Sequence, residues 1–240
     1  MQFTFDDILP ACGHHIFTDA LFLQGYNLLF EGDLTSKKIL EVCCGEGDLA
    51  AWLGRVSKAE IVGIDISENS IRAAVQKYGE MHNVTFICTD ALELSDFEAN
   101  TLDIVVGQAT MHHLAHNLPK ASKGFSRVLK PGGNCMFIFE PLGHNPMIAA
   151  LRGVLNTGRQ RQYLDESMLF EWAIKDFAAN FTRHEIYYFS LLAYLCKILP
   201  KNVKLSKLIY HFCDMFDQRL FRLVPWTRKY AGNFNVCYWK

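Results

Sequence analysis

"ILEVCCGEGDLA", Ile39 to Ala50, is an apolar run that ends in two cysteines and then a turn holding two glycines. The paired cysteines raise a metal or redox reading. No two of the eight cysteines have C-x-x-C spacing, however, and a chain of 240 residues builds a core without staples. The expectation is therefore reduced thiols and no metal, with Cys43, Cys88 and Cys135 acting as small buried hydrophobes in strand-like runs. The glycines carry more meaning. Gly45, Gly47 and Ala50 fit G-x-G-x-x-G/A, which turns a strand sharply into a helix and lets a ligand approach the backbone.

Outward from this turn the pattern repeats. Apolar runs at Lys38 to Cys43, Glu60 to Ile64, Val84 to Cys88, Leu102 to Val106 and Asn134 to Phe139 alternate with stretches of helical spacing. Near-continuous apolar strands separated by helices predict a parallel sheet covered on both faces. Ser67 is the expected N-cap of one helix, with Ile71, Ala74, Val75 and Tyr78 on its inner face. Asn117 caps another that stops before Pro131. Beyond Phe139, Pro146 opens a helix through about Leu155, and Asp165 or Ser167 caps one running to about Ala178. Arg183 to Leu191 and Asn233 to Lys240 read as strands. Between them lies a segment broken by Pro200 and Pro225 into two expected helices.

A second acid in the right place narrows the ligand. Asp65 ends the second strand in "IVGIDIS", where a carboxylate can accept hydrogen bonds from both hydroxyls of a ribose, so a nucleoside-containing ligand is expected. With Glu41 before the glycine turn, the series "LEVCCGEG", "GIDIS", "TDAL", "LDIVVGQATMHHL" and "VLKPGG" resembles the class I S-adenosylmethionine-dependent methyltransferases, in the small-molecule (methyltransferase type 11/25-like) group. The resemblance spans about residues 37–141. It implies an α/β, Rossmann-like, doubly wound seven-stranded mixed sheet with its last strand antiparallel. The single domain is then divided into an N-terminal helical cover (1–36), a cofactor-binding core (37–141), a helical region (142–182) and terminal strands (183–240) with a helical lid insertion at 192–223.

The same resemblance implies site roles for S-adenosyl-L-methionine. The backbone of Cys44, Gly45 and Gly47 would hold the methionine portion, and Glu41 with the backbone near Gln108 its ammonium. Asp65 would take the ribose, Ile66 an adenine face, and Asp90 with Ala91 would face the adenine. Methyl transfer is an in-line displacement, so the protein mainly aligns the acceptor. Candidates for a base are His112 and His113 in "TMHHL" and Glu140 and His144 in "FEPLGHN". The N-terminal His14, His15, Phe17 and Tyr26 belong to the expected cover.

The acceptor is read from the tail. From Leu192 to Lys240 there are nine lysines and arginines against two aspartates, in a chain of net charge −1. Leu205, Leu208, Ile209, Phe212, Met215, Phe216, Leu220 and Phe221 recur there at helical spacing. This predicts a lid over an apolar pocket, or a surface for peripheral membrane or protein contact. The expected substrate is a small, largely apolar molecule methylated on O or N. Nucleic acid is not expected, because "GQAT" replaces the Asn/Asp-Pro-Pro-Tyr/Phe series of adenine methyltransferases. Asp6 and Asp7 replace the basic start of a secretory signal, so a soluble, cytoplasmic protein is the default expectation. Two rival readings are an inactive cofactor-binding partner protein and an NAD(P)-dependent oxidoreductase, the latter lacking any Tyr-x-x-x-Lys pattern.

Overall fold

The computed structural model describes residues 25–28, 32–156, 169–198 and 204–240. The glycine turn links β1 (Lys38–Val42) to α1 (Asp48–Val56), and β2 (Glu60–Asp65), α2 (Glu68–Tyr78) and β3 (Val84–Cys88) complete the first half. The second half runs through β4 (Leu102–Gln108), α3 (Leu118–Val128), β5 (Leu129–Pro141), α4 (Pro146–Asn156) and α5 (Glu171–Phe177). Strands β6 (Arg183–Phe189) and β7 (Asn233–Trp239) enclose α6 (Lys204–Leu223). The sheet order is β3-β2-β1-β4-β5-β7-β6, and β7 lies antiparallel between β5 and β6. This is the expected mixed seven-stranded sheet.

Strand periodicity sorts the core into two layers, because alternate side chains leave opposite faces. Ile39, Ile104, Val106, Met136 and Ile138 pack with Leu49, Trp52 and Leu53 of α1. Leu40, Val42, Val105, Cys135 and Phe137 pack with Phe125 of α3 and Ile174 and Phe177 of α5. Glu41 shares the parity of Ile39, so its carboxylate is committed to the α1 face.

Ser67 caps α2 as expected, its side chain accepting from the Ser70 N–H. The inner face of that helix is narrower than predicted: Ile71 and Ala74 are buried but Val75 is exposed, because α2 covers the edge of the sheet. The same edge exposes Cys88 at the end of β3, and Cys43, just past the carboxyl end of central β1, is half-buried, so of the three strand cysteines only Cys135 is a core hydrophobe. The "LKPGG" turn is absorbed into β5, which starts at Leu129 opposite Leu102 and resumes regular pairing at Asn134. Lys240 closes it from the far end of the chain, exchanging backbone bonds with Gly132 and Gly133. Most of the expected N-terminal cover, with His14, His15 and Phe17, lies outside the described residues, as do Asp165, Ser167 and Pro200. Residues 25–28 form a helical turn whose Tyr26 is fully buried against Trp52.

Candidate functional site

Backbone strain marks where the site is. Cys43, Ala109 and Phe139 all have positive φ, at 53°, 50° and 64°, and they follow or end the neighbouring strands β1, β4 and β5. A non-glycine residue in this region costs on the order of 1–2 kcal/mol. Three such costs side by side, at the carboxyl ends of adjacent parallel strands, lie where open α/β sheets bind ligands.

The glycine turn is built for close approach. Gly45 has φ +54° and a Cβ placed there would meet nothing within 4 Å, so the space above it is open. Gly47, with φ +81°, is the opposite case: a Cβ would lie 2.5 Å from the Phe86 ring and 3.0 Å from Ala74. One glycine faces a vacant approach and the other fills a packing gap. Gly47→Ala is therefore expected to destabilise the fold by about 2–4 kcal/mol, strain and overpacking together, while Gly45→Ala costs about 1–2 kcal/mol from strain alone. Urea denaturation of both variants checks this order; equal losses would overturn it.

Asp65 sets the turn in place. Its two oxygens accept the backbone N–H groups of Gly45 (2.9 Å) and Ser67 (2.8 Å), and each keeps a lone pair for another donor. Ile66 beside it is 73% exposed, an apolar face with nothing on it. Asp90 bonds its own loop at the Leu92 N–H, 2.9 Å away, and Ala91 is buried in the core. Gln108 accepts the Tyr26 hydroxyl. That contact joins the N-terminal turn to the end of β4, and its only sequence signal was the lone tyrosine of the expected cover.

The carboxylates dominate the electrostatics. Glu41 is buried, and its Oε2 has no hydrogen-bond partner among the described residues. Burial pushes its pKa up to about 8 against one backbone bond from Ala50, and Asp48 and Asp65 add repulsion. The neighbouring Cys43 thiol is pushed up to about 12 by burial first, then by Asp65, Glu140, Asp90 and Glu41. Four carboxylates thus act on one point at the strand ends. Cys44 is also raised by burial, so neither thiol is a nucleophile.

The four candidate bases separate cleanly. Glu140 is fully buried, and its Oε1 accepts the Thr110 and Met111 N–H groups at 2.6 and 2.8 Å. Its Oε2 accepts the His112 N–H at 3.3 Å and meets His112 Nδ1 at 2.8 Å. A carboxylate so occupied shapes the loop after β4, a structural role for Glu140 beside the expected one. His144 is engaged likewise, since its Nε2 accepts the Glu171 N–H at 3.1 Å and caps α5. His112 is buried and oriented by Glu140; His113 is exposed, its ring 4.1 Å from that of His112.

Comparison with known proteins agrees with this geometry. Residues 39–133 match the family model described as a methyltransferase domain. Among curated proteins it is 42% identical over 101 residues to demethylmenaquinone methyltransferase of Staphylococcus aureus, a stretch that is 40% of this chain and 40% of that protein. The match therefore spans about two fifths of the length of those relatives. Among solved structures, phosphoethanolamine N-methyltransferase 2 of Haemonchus contortus, in complex with S-adenosyl-L-methionine, superposes with a TM-score of 0.62 at 18% identity, covering 99% of this chain and 60% of that one. Geranyl diphosphate C-methyltransferase of Streptomyces coelicolor gives 0.62 at 12% identity, covering 90% of this chain and 74% of that one.

Proposed function

We propose that this chain binds S-adenosyl-L-methionine at the ends of β1, β2 and β4 and transfers its methyl group to a small, largely apolar acceptor. The observation that carries the reading is the buried Oε2 of Glu41, unpartnered among the described residues, on the strand that leads into the open turn at Gly45. A buried carboxylate lacking a cation is costly, and a ligand bearing an ammonium and a sulfonium supplies one. The four carboxylates acting at Cys43 favour the same charge and disfavour the pyrophosphate of a dinucleotide. Asp65 keeps lone pairs for a ribose diol, and exposed Ile66 offers an apolar wall for a base.

When bound, the cofactor supplies an activated methyl group. The chain's own part is to hold and shield. Tyr26 buries the end of β4 through Gln108, and Glu140 fixes residues 110–112 by four hydrogen bonds, so the reacting edge is rigid before a ligand arrives. An oxygen or nitrogen acceptor suits this machinery: a neutral amine needs no base before transfer, and a hydroxyl can lose its proton to an imidazole of the loop. His112, with Nδ1 directed to Glu140, presents Nε2 as the basic atom in its neutral tautomer, and His113 stands exposed beside it. The apolar acceptor is supported by the hydrophobic segment before β7 and by the name of the S. aureus relatives.

Titration calorimetry with S-adenosyl-L-methionine and S-adenosylhomocysteine tests the first half. Asp65→Ala, which removes the diol acceptor and releases the Gly45 N–H, is expected to weaken both by about 2–3 kcal/mol, roughly 30- to 150-fold. No binding by the wild-type chain, or unchanged affinity in the variant, overturns the reading. Labelled methyl transfer to apolar phenols and amines tests the second half.

A further inference from the structure

The helix α6 has two different apolar faces. Ser206, Tyr210, Asp217 and Phe221 are buried, and their spacings of four and seven residues place them along one side. Asp217 is fully buried at the centre of that side and accepts the N–H groups of Leu191, Leu192 and Ala193, at 2.8 to 3.0 Å, so the helix is locked onto the end of β6. On the outward side Leu205, Leu208, Phe212 and Met215 follow one another at three or four residues, and they and Leu223 are exposed; Phe212 is 67% and Leu223 79% accessible. Trp226, just beyond, is 67% exposed. Helix packing uses one stripe, and none of the described residues covers the second.

Charge says what fits there. Of the two acids in the 192–240 segment, Asp217 is sealed in and Asp214 is largely buried, its pKa raised by that burial. Arg219 continues the outward line four residues after Met215, and Arg222 borders it; both are exposed, as are Arg228 and Lys229 around Trp226. An exposed apolar stripe interrupted and bordered by bases, with a tryptophan at its end, is the pattern of a helix lying in a membrane interface. A soluble protein partner would leave the surplus of bases unexplained, whereas anionic lipid answers both features. Among the described residues no helix is long and apolar enough to cross a membrane, so contact is from one side.

Position gives the contact a use. Phe189, at the end of β6, pairs with Asn233 of β7, which pairs with Pro141 at the end of β5. The helix anchored beyond Phe189 therefore stands at the same sheet end as Glu140 and the strained strand termini.

We propose that the outward face of α6, with Trp226, docks on an anionic membrane surface and brings the mouth of the site to the bilayer. The contact does not depend on catalysis, so its failure is separable from failure of the methyltransferase reading. The test is sedimentation of the full chain with vesicles of mixed phosphatidylcholine and phosphatidylglycerol, and of phosphatidylcholine alone. Wild type is expected to sediment with the mixed vesicles and to bind neutral ones at least about tenfold more weakly. Leu208→Glu with Phe212→Glu, and separately Arg219→Ala with Arg222→Ala, should each lower binding to mixed vesicles by about tenfold or more, with melting temperature and cofactor affinity retained. The arginine pair is exposed and keeps the test decisive if the glutamate pair misfolds. Absent wild-type binding, equal binding to neutral vesicles, or undiminished binding by the folded variants overturns the proposal. So does a dimer in light scattering, dissolved by the glutamate pair and indifferent to vesicles, which assigns the face to a second copy.

Discussion

Glu41→Gln is expected to cripple cofactor binding and to make the protein more stable in alkali. The carboxyl of Glu41 ionises near 8 in the fold against 4.5 ordinarily, because burial strips its water away. The sign follows from proton counts. Between about pH 4.5 and about pH 8 the folded chain holds a proton that the unfolded chain has lost, so stability falls as pH rises through that window and stays low above it. The full penalty is on the order of 3–5 kcal/mol, and a neutral amide escapes it. Wild type and variant should melt together near pH 4.5 and separate by roughly 5–10 °C at pH 8.5, the variant higher. Affinity for S-adenosyl-L-methionine moves the other way, down by about 2–3 kcal/mol in the variant through loss of a charged hydrogen bond. In wild type that affinity should climb with pH toward 8, since the cation displaces the proton on Glu41. Melting curves that coincide at every pH, or a variant that binds as wild type does, would sink the assignment.

The sheet was legible because strands buried on both faces leave long apolar runs, and helices between them leave a 3.6-residue stripe. The positions of Gly45, Gly47 and Asp65 were legible for a related reason. Gly45 and Gly47 are demanded by backbone conformation, and Asp65 ends a strand, so each is tied to a location in the chain. The bases were not legible. Whether Glu140 or His144 holds a free lone pair depends on groups near it in space: the N–H groups of residues 110–112 for one, Glu171 for the other. No local pattern encodes that. The exposure of Cys88 and Val75 failed to show for a similar reason, since an edge strand and its helix have apolar composition like that of inner ones. On α6 the composition announced excess apolar surface, and only the packing separated the inward stripe from the outward one.

Among the four base candidates, Glu140 carries the largest expected effect on stability. It stands where β5 shifts register between Phe137 and Glu140, and the bulge aims its side chain at the loop after β4. There three backbone N–H groups and one imidazole nitrogen converge on two oxygens, with no exposure to water. Glu140→Ala leaves those donors buried and unpaired, at an expected cost of about 3–5 kcal/mol. Glu140→Gln tests the arrangement more finely. Its carbonyl can keep Thr110 and Met111, but its NH2 group then confronts the His112 N–H, and His112 must turn or change tautomer to relieve Nδ1. A loss of about 1–3 kcal/mol is expected, together with a changed imidazole signal for His112 in NMR. Catalytic loss should track the loop's order: kcat falls while affinity for S-adenosylhomocysteine holds within about threefold, because Glu41 and Asp65 are untouched. If Glu140→Gln is as stable as wild type and loses only kcat, with the His112 resonances unmoved, then Glu140 acts on the substrate after all and its role as the loop's organiser is wrong.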